Sequence, residues 1–273
     1  MKQRNPDSQK LVRNSDGLER STDTAFTRLE LVVLISVVGF WVLLLTPAFA
    51  RSRAGDRSWQ CQNNLRQLVA GWRLYTADNE DHVATAFSWV RGGLGYDGHP
   101  DNTNVTYLTG SLLWPYVNEL SAFKCPADRS TSLGGTAGQP RTRSYSMNHA
   151  FRTHASEHWS APPWRIYRKA SDMVKPAPAR LWVFLDEHPD SINDAAFAVQ
   201  MDKQGDEAVW NDMPSSYHNG TGMVSFGDGH TENHKWHDLR TLYRVTYSQR
   251  FPYILAQPNN PDIAWVQEGT TAK

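Results

Sequence analysis

Residues 31–50 read LVVLISVVGFWVLLLTPAFA, with no charged side chain among them. About 20 apolar residues is the length that a helix needs to cross the hydrocarbon of a bilayer. A helix buried in a protein core seldom lacks a polar stripe over five turns. The stretch therefore sets the first expectation, a single membrane-spanning helix near the N-terminus. Lys2, Arg4, Lys10, Arg13, Arg20 and Arg28 precede it, and Arg51, Arg53, Arg57 and Arg66 follow. The N-terminal excess of basic residues places that side in the cytoplasm. A competing route is cleavage after Ala48-Phe49-Ala50, which has the small-x-small form of a secretory signal site and would release a soluble protein from Arg51.

Beyond the span, Cys61, Leu65, Leu68, Val69 and Trp72 recur at helical period, and Gln62, Asn63, Asn64, Arg66, Gln67 and Arg73 lie on the other face. The helix is expected to continue to about Tyr75, ended by Asp78-Asn79-Glu80-Asp81. Residues 91–110 and 130–142 are rich in Gly, Asn or Thr and read as loops. Leu181-Trp182-Val183-Phe184-Leu185 reads as a buried strand. Met223–Phe226 and His230–Trp236 flank Asp228-Gly229, a pair whose residues favour the positive φ of a tight hairpin. Residues 257–273 are Pro/Asn-rich and read as a loosely packed tail. The fold class is thus α+β: a long N-terminal helix, membrane-spanning in its first half, on a mostly antiparallel β-sheet with long loops.

Charged residues make up 21% of the 273, with a formal net charge of zero. That excludes the basic footprint of a nucleic-acid binder. Eleven Trp read as packing, or as a sticky face for polysaccharide or protein. Cys61 and Cys125 are the only cysteines, too few and too far apart in sequence for a zinc cluster. Outside the cytoplasm they are expected to make a disulfide, closing a loop of about 65 residues worth about 4 kcal/mol; the alternative is two independent buried cysteines acting as small apolar residues.

Asp186, Glu187, Asp194 and Asp228 form an oxygen-rich set that could hold calcium, the one cofactor candidate. The plainer reading is turn chemistry, in which Asp and Asn bond nearby backbone amides. Asp186, His188, His218 and Asp228 could also ligate a hydrolytic metal. No GxSxG, HExxH or Gly-rich phosphate loop accompanies them, so catalytic activity is not expected.

Ala25-Phe26-Thr27-Arg28-Leu29-Glu30-Leu31 resembles the cleavage and methylation signature of type IV prepilins and type II secretion pseudopilins. Cys61-Gln62-Asn63-Asn64-Leu65-Arg66-Gln67-Leu68, Cys125-Pro126-Ala127-Asp128, Ser144-Tyr145-Ser146-Met147-Asn148, and His218 followed by nine residues and then Asp228-Gly229 resemble the prepilin-type proteins named for that His-x9-Asp-Gly motif. The resemblance implies a leader over 1–25, cut between Ala25 and Phe26. It implies a membrane-spanning half-helix over 26–50, kinked at Pro47, and a pilin-like globular domain over 51–256. It implies that Glu30 pairs with the free amine of a neighbouring subunit during assembly. The partners implied are prepilin peptidase, other pilin or pseudopilin subunits and the membrane, with no nucleic acid. The location implied is single-pass in the inner membrane, with the leader cytoplasmic and the globular domain periplasmic or extracellular. The function implied is a structural subunit of a secretion or pilus-like filament. The alternatives are a secreted or membrane-anchored carbohydrate- or surface-binding protein, and a metal-dependent hydrolase.

Overall fold

In the computed structural model, residues 27–135, 137–153, 162–248, 251 and 254–273 are described, with only the backbone for 43–56. Ala25, Phe26 and the side chain of Pro47 lie outside the described residues. The chain divides into two compact units, 1–49 and 50–273.

Helix α1 (Arg28–Asp78) starts on a reciprocal cap. The Thr27 amide donates to Glu30 Oε2 at 2.9 Å, and the Glu30 amide donates to Thr27 Oγ1 at 3.3 Å. This is a capping box, which satisfies two amides that have no partner in the helix. The Thr27 amide, and then its hydroxyl, hold the Glu30 carboxyl below the usual carboxylate range.

The expected membrane-spanning half-helix and single-pass inner-membrane location are overturned. Among the described residues, no helix is long and apolar enough to cross a membrane.

The second unit is a mixed helix-and-sheet fold. Cys61, Leu65, Leu68, Val69 and Trp72 form the buried face of α1, all at most 1% exposed. Two single-turn helices follow, α2 (Thr106–Thr109) and α3 (Trp114–Val117). The main sheet holds β1 (Tyr145–Asn148), β2 (Trp182–Asp186), β3 (Ala196–Phe197), β5 (Thr221–Phe226) and β6 (Thr231–Lys235), in the order β3-β1-β2-β5-β6. Only β1–β3 is parallel. A second sheet pairs β4 (Val209–Trp210) with β7 (Leu255–Ala256). The Leu181–Leu185 run is thus β2 and the Asp228-Gly229 turn joins β5 to β6.

Two apolar clusters form in this unit. One joins the buried face of α1 to Tyr145, Met147, Val183 and Phe184. The other gathers Trp182, Leu185, Val224, Phe226 and Trp210. Successive strand residues face opposite sides, yet Val183 and Phe184 join the same cluster. A register shift against β5 between Trp182 and Phe184 accounts for it. Trp72, Trp89, Trp182 and Trp210 are all fully buried, so these four serve packing.

The tail expected over 257–273 is instead helix α4 (Pro261–Thr270). Asn260 caps it, accepting from the amides of Asp262 and Ile263, and Pro261 takes the first helical position. Ile263 and Val266 complete the second cluster. Trp182 Nε1 donates to the Val266 carbonyl and to Thr270 Oγ1, both at 3.1 Å. A chain ended at Gln257 is expected to lose several degrees of melting temperature, because Trp182 and Phe226 lose their cover. Differential scanning calorimetry checks this, and an unchanged transition would restore the loosely packed tail.

Candidate functional site

The four sequence elements quoted above meet at one point. Cys61 lies on the inward face of α1. One turn on, the Asn64 amide nitrogen donates to the carbonyls of Ser121 (2.8 Å) and Lys124 (2.9 Å). Those bonds hold the loop that carries Cys125 against the helix. The loop is closed locally as well. The Asp128 amide donates to the Cys125 carbonyl at 3.0 Å, and the Ser130 amide to Asp128 Oδ1 at 2.8 Å. Ser144, just before β1, accepts from the Cys125 amide at 3.2 Å and donates to Asp128 Oδ2 at 2.6 Å.

Asp186 ends β2. Its Oδ1 accepts the Met223 amide of β5 at 2.8 Å, and its Oδ2 lies 3.9 Å from Cys61 Sγ. His218 precedes β5, with Nε2 at 3.3 Å from Cys125 Sγ. The Tyr145 hydroxyl of β1 is 3.1 Å from Cys61 Sγ. The ligand atoms of Cys61, Cys125, Asp186 and His218 all lie within 4.8 Å of one another, and all four residues are buried.

This geometry explains the His-x9-Asp-Gly spacing. Strand β5 fills the interval: it begins three residues after His218 and delivers the Asp228-Gly229 turn to α1. There Arg73 donates to the Asp228 carbonyl. Gly229 has φ +96°, and a Cβ on it would stand 2.5 Å from Arg73 Nη1. The motif thus fixes both ends of one strand, one at the buried cluster and one on the helix.

Burial pushes the Asp186 carboxyl up to about 7 and the Cys61 thiol well above its usual range. It lowers the His218 imidazole to about 4. The common cause is removal from water, which disfavours each charged form. A cation held among the four would reverse that preference for Cys61 and Asp186, and it requires the neutral imidazole already favoured. Two sulfurs, a carboxylate oxygen and an imidazole nitrogen can hold a soft divalent ion.

Three expectations change here. Cys61 and Cys125 stand as free buried thiols and not as the expected disulfide, and their sulfurs share a centre with Asp186 and His218. Two cysteines distant in sequence do not exclude a zinc site, because the fold brings Asp186 and His218 to them as further donors. The calcium set is not brought together: the converging group includes Asp186 alone of the four. Glu187 bonds Ser146 and Ser191, Asp194 accepts the Ala196 amide, and Asp228 bonds His230. His188 is likewise elsewhere, bonded to the Tyr243 carbonyl and the Asp190 amide. Tyr145, Asn64 and Ser144 were not singled out from the sequence as site residues, although each lies inside a motif that was.

No protein-family model matches this sequence, and no curated protein or solved structure is significantly similar to it.

Gly229→Ala is expected to cost about 1–3 kcal/mol, the strain of a non-glycine residue at that φ, plus the displacement of Arg73. Urea unfolding checks it. Gly93, with ordinary φ and only one contact near a built Cβ, at 3.5 Å, is the control, and Gly93→Ala should change stability far less.

Proposed function

We propose that the protein is a structural subunit that assembles into a filament through the first part of α1, as in the pilins and pseudopilins its sequence resembles. The observation that carries this is the state of the helix between Leu29 and Val42. Leu29, Leu31–Ile35, Val37, Val38 and Phe40–Val42 are eleven large apolar side chains, each 48–75% exposed. Because they are nearly consecutive, they cover every side of the helix. A partner docking on one face would leave the rest in water. Packing among several copies of the same helix buries them all, and each such side chain contributes about 1.5–3 kcal/mol on burial.

Cleavage between Ala25 and Phe26 by prepilin peptidase belongs to this proposal, as does co-assembly with other pilin-like subunits. Glu30 then has two separable roles: it caps its own helix, and its carboxylate offers a partner for the free amine of a neighbouring copy. Glutamine can replace glutamate in a capping box but carries no charge. Glu30→Gln is therefore expected to keep the helix start intact, by circular dichroism, yet to reduce sedimentable filament several-fold. If Glu30→Gln assembles like the parent and only Glu30→Ala fails, the carboxylate serves capping alone. A mature chain beginning at Phe26 by mass spectrometry supports the reading, and one beginning at Arg51 contradicts it.

A further inference from the structure

The group Cys61, Cys125, Asp186 and His218 has more in common than burial. Its donors come from four separate segments: α1, the loop after Phe123, the end of β2 and the approach to β5. Zinc bonds sulfur at about 2.3 Å, imidazole nitrogen at about 2.0–2.1 Å and carboxylate oxygen at about 2.0–2.2 Å. A tetrahedron on those radii has donor–donor edges of roughly 3.3–3.8 Å. The measured edges are 3.3 Å from Cys125 Sγ to His218 Nε2 and 3.9 Å from Cys61 Sγ to Asp186 Oδ2. All four donor atoms lie within 4.8 Å of one another, so an ion at the centre draws them together by up to about 1 Å.

The support around the donors also fits a metal. A ligating carboxylate or thiolate is usually oriented by a further hydrogen bond. Here the Met223 amide holds Asp186 Oδ1, leaving Oδ2 toward the cluster, and the Tyr145 hydroxyl meets Cys61 Sγ. Asn64 and Ser144 fix the backbone around Cys125. A cavity of about 420 Å³ lined by Asn64, Lys124 and Cys125 gives an ion a way in.

We propose that Cys61, Cys125, Asp186 and His218 bind one zinc ion in a closed, structural centre that fastens α1 to the sheet. Two thiolates select a soft ion over calcium or magnesium, which take oxygen ligands. Four protein ligands leave no open position for water or substrate, so the ion serves folding and not catalysis. The site takes the place of a covalent cross-link: it ties the helix, the Cys125 loop and two strands at one point. The inference is independent of filament assembly.

The test uses the full chain, purified under reducing conditions without chelator. Elemental analysis is expected to give one zinc per chain. Chelation should lower the melting temperature by roughly 10 °C, with recovery on adding zinc but not calcium. Cys61→Ser and His218→Ala should each lose zinc more than tenfold. Where a variant fails to fold, cobalt replacement in the parent decides. A tetrahedral spectrum with cobalt–thiolate charge transfer supports the site, and an oxygen-ligated octahedral spectrum overturns it. Metal-free protein with a full melting temperature, a Cys61–Cys125 disulfide in the native protein, or equal recovery with calcium would each overturn it as well.

Discussion

Four polar donors converge inside an apolar cluster where α1 meets the sheet, and much of the second unit is arranged to permit it. Taking thiols, a carboxyl and an imidazole out of water is costly for their charged forms, even with the hydrogen bonds that Asp186 and Cys61 keep. One ion removes that cost and gains bonds that no single donor could form. Cys61 must therefore keep its phase with Leu65 and Leu68, Asp186 must end its strand in register with Tyr145, and His218 must sit at the foot of β5. The hairpin is held at its far end by Arg73 on the same helix. Helix and sheet are thus joined twice, through the ligands and through the turn.

The opposite side of the sheet is closed by different means. There Trp182 and Phe226 meet α4, and the cross-links are neutral. Asn148 donates to the carbonyls of Trp182 and Thr270 at 2.9 and 3.0 Å, and Gln267 donates to those of Gln200 and Lys203. Each bond satisfies a buried backbone group that would otherwise be left unpaired. The first unit follows another logic again, since its apolar side chains find no cover within the described part of it. That contrast is the basis for assigning assembly to 29–42 and folding to the rest.

Some of this was legible in the sequence. The helical phase from Cys61 to Trp72, the buried run at 181–185 and the Asp-Gly hairpin all rest on local periodicity or turn chemistry, and these elements stand where they were expected. Helix α4 is hidden in the sequence because Pro and Asn also form loops, although Asn260-Pro261 is an N-cap followed by a favoured first residue. Thr27 and Glu30 stand at capping-box spacing, and that local role is legible beside the filament contact that the resemblance implies for Glu30. The membrane-spanning reading came from an apolar count over 31–50 alone. The donor cluster was beyond local reading, because its ligands are contributed one at a time by segments far apart in the chain. Only the tertiary fold shows that two cysteines, one aspartate and one histidine share a centre. Each nevertheless lay in or beside a motif whose other residues, such as Asn64, Ser144 and Gly229, prove to hold the ligand segments in place.

The central claim is most directly tested by X-ray absorption at the zinc edge of the full-length protein. The account predicts a first shell of two sulfurs at about 2.3 Å and two nitrogen or oxygen atoms at about 2.0–2.1 Å. A shell of oxygen and nitrogen alone, or of six ligands, would contradict it.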